Sequence, residues 1–358
     1  MEDISVRKDY YNSQEVNPWI KTWLWIGVGM LLIQFMLGAV TRLTGSGLSI
    51  TKWDIAIGIF PPHNEIQWTE AFDLYKLTPQ YHKINQGMSL SDFKFIYFWE
   101  YFHRLWARSM GFVFVIPFMI FLFRKKLSKA LIRQLLTVVM LGGIVGVFGW
   151  IMVASGLVNR PWVNAYKLSL HLNLAFLVYG YLLWIAISYS SPERFLVDGT
   201  KFKKGVYIVF SLLIIQLLLG GIMSGMKAGL FYPTWPDYSG EYYPPILHDA
   251  GSWKLQHLTD YDTHVFAPSL IQFLHRNIAY LLLVIGLILS IRLLKFHVKR
   301  LNPYALFFLF CLLIQVILGI LVLVYSVNNI PVFLGVLHQS GALLLLSSVV
   351  LLNWKITT

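Results

Sequence analysis

Residues 96–123 read IYFWEYFHRLWARSMGFVFVIPFMIFLF. A helix needs about 20 mostly apolar residues to cross a bilayer, and this stretch exceeds that. Its three charges, Glu100, Arg104 and Arg108, lie in its first half, and Gly111–Phe123 carries none. It does not alternate apolar with polar as a barrel strand would. Seven more segments read the same way: Trp23–Thr41, Leu135–Ala154, Tyr166–Tyr189, Val206–Met223, Leu270–Ile291, Tyr304–Tyr325 and Ile330–Leu352. The whole chain agrees: 358 residues, 57% hydrophobic and 13% charged, against about 25% charged in a soluble domain. A single cysteine, Cys311, excludes a disulfide scaffold. The expected fold class is an all-α integral membrane protein with eight transmembrane helices.

The net charge of +12 would suit a nucleic-acid binder, but its distribution argues against one. The N-terminal tail, 124–134, 190–205, 292–303 and the C-terminus hold 17 Lys+Arg against 6 Asp+Glu. The alternate loops, 42–95, 155–165 with Lys167, 224–269 and 326–329, hold 9 against 10. The positive-inside rule then places both termini in the cytoplasm and the two long aromatic-rich loops outside, as short ordered caps. The N-terminal tail carries Glu2, Asp3, Asp9 and Glu15 and no early apolar run. It reads as neither a signal nor a transit peptide, so direct entry into a bacterial cytoplasmic membrane is expected.

The chain repeats. QFMLGAVTRLTGSGL (34–48) aligns with QLLLGGIMSGMKAGL (216–230), and EYFHRLWARSMG (100–111) with QFLHRNIAYLLL (272–283). His171 and His338 open the fourth and eighth spans. Two pseudo-symmetric four-helix halves follow, 1–200 and 201–358. An even number of spans gives them the same orientation.

Four of the ten histidines lie inside spans: His103, His171, His275 and His338. All sit on even-numbered spans near the outer face, two per half. Ionisable groups at such depth are costly and mark function, although a lone one is more often a hydrogen-bonded core residue. Alanine stands four residues after each: Ala107, Ala175, Ala279 and Ala342. Residues i and i+4 share a helix face, so a flat macrocycle has room beside each imidazole. Zinc would not need that room and usually takes Cys or carboxylate as well. Paired imidazoles fit haem iron, with His103/His171 in one half and His275/His338 in the other.

The halves differ three residues before the first histidine of each, where Glu100 faces Gln272. Glu100 shares a face with His103, one turn further out, and is a chemically competent acid at membrane depth. One reactive site and one non-reactive haem follow, unless Glu100 only pairs with Arg104 or a loop lysine. Arg104 and Arg276 either meet haem propionates or snorkel to the interface.

These residues resemble the haem A synthase family over nearly the whole chain. The most specific stretches are GAVTRLTGSGLSITKWD (38–54), FKFIYFWEYFHRLWARSMG (93–111), GWIMVASGL (149–157) with YKLSLHL (166–172), and FLHRNIAY (273–280) with LGVLHQSGA (334–342). The resemblance implies that His103 and His171 hold the substrate haem O, with Glu100 as the essential carboxylate. It implies that His275 and His338 hold a permanent haem b. The implied reaction oxidises one haem methyl to a formyl group through two hydroxylations, giving haem A for terminal oxidase assembly. Implied partners are membrane lipid, a haem O synthase and cytochrome oxidase assembly factors, with an oligomer left open and no nucleic acid. The farnesyl tail of haem O implies a lateral opening between helices. Some family members carry a cysteine pair in the first outer loop, whereas 42–95 has none, so the match is to the cysteine-free branch. The alternatives are a bis-histidine di-haem electron carrier and a transporter. The carrier sits less well with four histidines near one face, and the transporter leaves their pairing unexplained.

Overall fold

A computed structural model describes residues 16–51, 60–158, 160–190, 195–196, 200–295 and 299–357. The N-terminal acids, Lys52–Asp54 and His297 lie outside the described residues. The helices run α1 (Pro18–Leu43), α2 (Glu65–Lys76), α3 (Pro79–Lys83), α4 (Leu90–Phe123), α5 (Lys129–Ala154), α6 (Ala165–Ser190), α7 (Thr200–Gly225), α8 (Leu255–Thr259), α9 (Phe266–Lys295), α10 (Asn302–Val324) and α11 (Val332–Lys355). Eight of them, α1, α4, α5, α6, α7, α9, α10 and α11, are long and apolar enough to cross a membrane. The chain is therefore an all-α, multi-pass membrane protein with eight spans. The small sheet is a two-residue parallel ladder, β1 (Phe195–Leu196) with β2 (Ile356–Thr357).

Each of the eight expected spans falls on one of these helices. Two of the helices start ahead of their apolar stretches because polar caps open them early. Ser89 opens α4 with a capping box, its side chain and that of Asp92 each meeting the other's backbone N–H. This puts the helix start at Leu90, six residues outside the apolar run from Ile96. Ser128 caps α5 in the same way, through the N–H of Leu131.

Residues 60–89, between α1 and α4, are ordered by aromatic packing. The side chain of Asn64 caps α2 through Gln67, and Thr78, followed by Pro79, caps α3 through Tyr81. Phe72 and Tyr75 of α2 bury against Phe93 and Ile96 at the N-terminal end of α4. The Phe72 and Phe93 rings stack at 4.9 Å between centroids. The buried Tyr75 hydroxyl donates to Gln80 Oε1 at 3.0 Å and accepts from Asn85 Nδ2 at 2.7 Å, and burial raises the pKa of the phenol.

The chain divides into two compact units, Gly29–Ala175 and Met1–Val28 with Phe176–Thr358. In the second, α10 packs along α11, α7 along α9, α9 against α10 and α11 against α7. Small residues bring these backbones together, as membrane packing requires. A Cβ at Gly286 of α9 would lie 2.5 Å from Leu312 and 3.2 Å from Phe308, both on α10. In the first unit, Thr41 Oγ1 donates to the carbonyl of Trp99 and Trp106 Nε1 to that of Met30. Helices α4 and α5 turn Phe112, Ile116, Met140, Val147 and Trp150 outward, as lipid-facing sides do.

Gly286→Val overpacks the α9/α10 contact and should destabilise the protein by about 1–3 kcal/mol. Gly142→Val, at a glycine with open space around it, should leave stability where it is. Thermal unfolding in detergent compares the two.

Candidate functional site

The structure gives each of the four span histidines the same seat. The ring of His103 on α4 lies against Gly38 on α1, where an added Cβ would be 3.2 Å from Nε2. His171 on α6 lies against Gly149 on α5, at 2.9 Å from Cε1. In the second unit, His275 on α9 meets Gly220 on α7 at 3.2 Å, and His338 on α11 meets Gly319 on α10 at 3.0 Å. Every ring thus packs on a bare stretch of the preceding span, where even alanine would press on the imidazole. Each histidine stays half-buried, with ring surface left beyond the glycine. His103 and His171 lie within electrostatic range of each other, as do His275 and His338.

The glycines were not picked out as site residues from the sequence, although a signal for them was there. Q-x-x-L-G occurs at 34–38 and 216–220, and a third time as QVILG at 315–319. The fourth copy, VGVFG at 145–149, keeps the glycine but replaces the glutamine by Val145. The residue four before each glycine meets the same histidine. Gln34 Nε2 donates to the His103 carbonyl at 3.4 Å, and Gln315 Nε2 to the His338 carbonyl at 3.0 Å. Gln216 Nε2 sits 3.2 Å from His275 Nε2. In the valine copy the backbone takes over: His171 Nδ1 is 3.0 Å from the Val145 carbonyl.

Glu100 is buried and held at three points. Its Oε1 pairs with Arg104, one helical turn along. Its Oε2 accepts from Ser49 Oγ at 2.7 Å and from the N–H of Ile50 at 2.9 Å. The segment that follows α1 supplies both donors. Gly45 lets that segment turn by adopting a φ of +70°, which L side chains rarely adopt. Ser46 N–H then bonds back to the Thr41 carbonyl. In the second unit the equivalent pair is solved without an acid. Gln272 Nε2 donates to the Tyr232 carbonyl at 2.9 Å. Arg276 donates to the Tyr232 and Asp237 carbonyls and lies over the Tyr238 ring, 4.1 Å from its centroid. Two nitrogens of Arg276 are thereby committed to the loop between α7 and α9.

Among the described residues, no group of three or more His, Cys, Asp or Glu converges as a multidentate cage would. The donor set of each pair is two imidazoles alone, which suits axial ligation of a planar iron macrocycle rather than a closed tetrahedral site. The alanines fit less uniformly: Ala342 is buried, Ala175 and Ala279 are intermediate, and Ala107 is exposed.

Residues 21–350 match the COX15-CtaA family, described as cytochrome oxidase assembly protein. The heme A synthase of Flavobacterium psychrophilum is 38% identical over 337 residues, covering 93% of this chain and 96% of its own. That of Flavobacterium johnsoniae is 37% identical over 340 residues, covering 93% and 96%. That of Pelagibacter ubique is 35% identical over 347 residues, covering 97% and 99%. Matches of this extent take in both histidine pairs and their glycine seats, and the chain belongs to the haem A synthase family of cytochrome oxidase assembly proteins.

Proposed function

We propose that this chain is a haem A synthase, an oxidoreductase that converts a methyl group of haem O into the formyl group of haem A. The observation that carries the reading is the asymmetric pairing. Two histidine pairs share one construction, and only the first has a buried carboxylate a turn away. His103 and His171 hold haem O as substrate, and Glu100 serves that site. His275 and His338 hold haem b as resident cofactor, and when bound it supplies one-electron redox chemistry. The repeat corresponds to two halves, 1–200 and 201–358. The basic loops support a topology with both termini on the cytoplasmic side of the bacterial inner membrane, with membrane lipid and the enzyme that makes haem O as neighbours.

Taking a methyl to a formyl group removes four electrons and passes through alcohol and gem-diol stages. With water as the oxygen source, the net change takes up one water, passes four electrons to an external acceptor and releases four protons. Glu100 has the means to accept them. The Ser49 hydroxyl and the Ile50 N–H fix one oxygen, and Arg104 holds the other. The two imidazoles fix which edge of the substrate faces that carboxylate. With its end nitrogen on Glu100, Arg104 acts as partner to the base, and the role of Arg104 and Arg276 toward haem propionates is secondary.

Glu100→Gln keeps a polar group under Ser49 and should leave pigment bound while lowering haem A formation about 10²-fold or more. Normal haem A accumulation in that variant rejects the catalytic role. Glu100→Ala strands the Arg104 charge and should in addition cost about 3–5 kcal/mol of stability. Gln272→Ala should be mild in the same assay, because its amide meets a single loop carbonyl.

Acid-acetone extraction of the purified protein separates this reading from an electron carrier. Haem B together with haem O or haem A is expected. Two haem B per chain, and nothing else, means a carrier. Widening a seat should empty it selectively: Gly319→Leu should lower haem B and spare haem O, and Gly149→Leu should do the reverse.

A further inference from the structure

One helical turn after the Gly38 seat stands Arg42, and one turn after the Gly220 seat stands Ser224. The same step from Gly149 and Gly319 reaches Val153 and Leu323, so the polar residue follows only the first seat of each unit. Residues i and i+4 share a helix face, and a long helical side chain leans back over the turn before it. Arg42 therefore covers the turn of α1 on which the His103 ring rests. That face is the inward one. Buried Leu37 and Thr41 flank it on one side, and buried Phe35 and Ala39 on the other.

Among the described residues, neither polar group has a partner. Ser224 Oγ is buried and unbonded. Other helical serines of its unit, Ser269, Ser290, Ser340 and Ser347, return a hydrogen bond to the carbonyl four residues back. The nearest candidate acid for Arg42 is already used, because Glu100 is shared among Arg104, Ser49 and Ile50. Nor does Arg42 close the end of α1, where the N–H groups of Thr44, Ser46 and Gly45 take the carbonyls of Val40, Thr41 and Arg42. A guanidinium turned inward without an anion is costly at the end of a span. A buried hydroxyl without an acceptor, at the matching place of the other unit, points the same way. One edge of a haem carries two carboxylates, which answer both groups.

We propose that Arg42 binds a propionate carboxylate of the haem O held by His103 and His171. The inference rests on the reading of that pair as the haem O site and adds the group that takes the charged edge of the substrate. The imidazoles grip the iron at the centre of the macrocycle. A charge-assisted bond at the rim locks its orientation against rotation about the axis through them. Ser224 offers the corresponding edge in the second unit a neutral donor. Arg104 and Arg276 are left to their own partners, Glu100 and the loop carbonyls.

The test uses the full-length protein, purified in detergent with haem B bound and titrated with haem O and with haem O dimethyl ester, in which both carboxylates are capped. The low-spin Soret change reports binding. The parent should prefer haem O over the ester by about tenfold or more. Arg42→Gln should weaken haem O by that factor, bind the ester as the parent does and keep haem B. Arg42→Lys, which keeps the charge without the planar fork, should recover part of the preference. A preference left intact in Arg42→Gln overturns the proposal and leaves a lipid phosphate as the partner of Arg42. Equal weakening of acid and ester, or loss of haem B, overturns it in favour of a role in the fold. His103→Ala tests the underlying reading separately. If that variant binds haem O with the parental low-spin spectrum, the first pair is not the haem O site, whatever Arg42 does.

Discussion

Hydrocarbon offers no hydrogen bonds, and every polar group placed inside a span must find its partner on the protein. An imidazole at that depth has two nitrogens to satisfy and a rigid ring to seat. This chain answers both needs with one device used four times. A glycine on the preceding span lets the ring approach the neighbouring backbone, and the residue one turn before that glycine brings a polar atom to the same histidine. The device works only if the two helices stand at fixed register. The histidine seats therefore constrain how α1 meets α4, α5 meets α6, α7 meets α9 and α10 meets α11.

The segments that follow α1 and α7 complete the same economy beside the helices that bear His103 and His275. A span arginine follows the first histidine of each half, and its charge must be met close to the membrane. In the first unit a carboxylate meets it, with a serine hydroxyl and a backbone N–H steadying the other oxygen. In the second, backbone carbonyls and the face of Tyr238 meet it. Both solutions are stable arrangements for a guanidinium, but only the first puts a carboxylate one turn from a span histidine. Glutamine at 272 follows from this: with Arg276 satisfied by the loop, a second acid would be a buried charge without a dedicated partner.

The spans were legible in the sequence because about 20 apolar residues in a row admit few other readings. Their ends were not, because caps such as Ser89 belong to the interface, where hydropathy no longer decides. The four span histidines stood out in the sequence by their position and repetition, and so did the contrast of Glu100 with Gln272. The bonding of Glu100 to Ser49 and Ile50 was not, since it depends on how the chain turns back after α1, a long-range fact about residues 51 and 50 positions apart. The glycine seats were half-legible. Q-x-x-L-G shows in the repeat as two copies, while the third at 315–319 and the degenerate fourth at 145–149 acquire meaning only when each glycine is found under a ring.

The alanines four residues after each histidine gain a second physical reason from the same contacts. In a helix the side chain at i+4 leans back over the preceding turn, toward the carbonyl of residue i. A small side chain there leaves that carbonyl open to a group from a neighbouring helix. Gln34 and Gln315 donate to the carbonyls of His103 and His338, the positions that Ala107 and Ala342 uncover. Among the described residues no glutamine is seen to donate to the carbonyl of His171 or His275, so this second reason does not extend to Ala175 and Ala279. One residue type at one spacing thus serves two ends. The carbonyl contacts divide the four alanines by hairpin: each histidine pair has one member with its carbonyl tied to the preceding span and one with its carbonyl left to its own helix. A bulky residue at 342 would act first on the Gln315 contact, and one at 279 on the space beside His275.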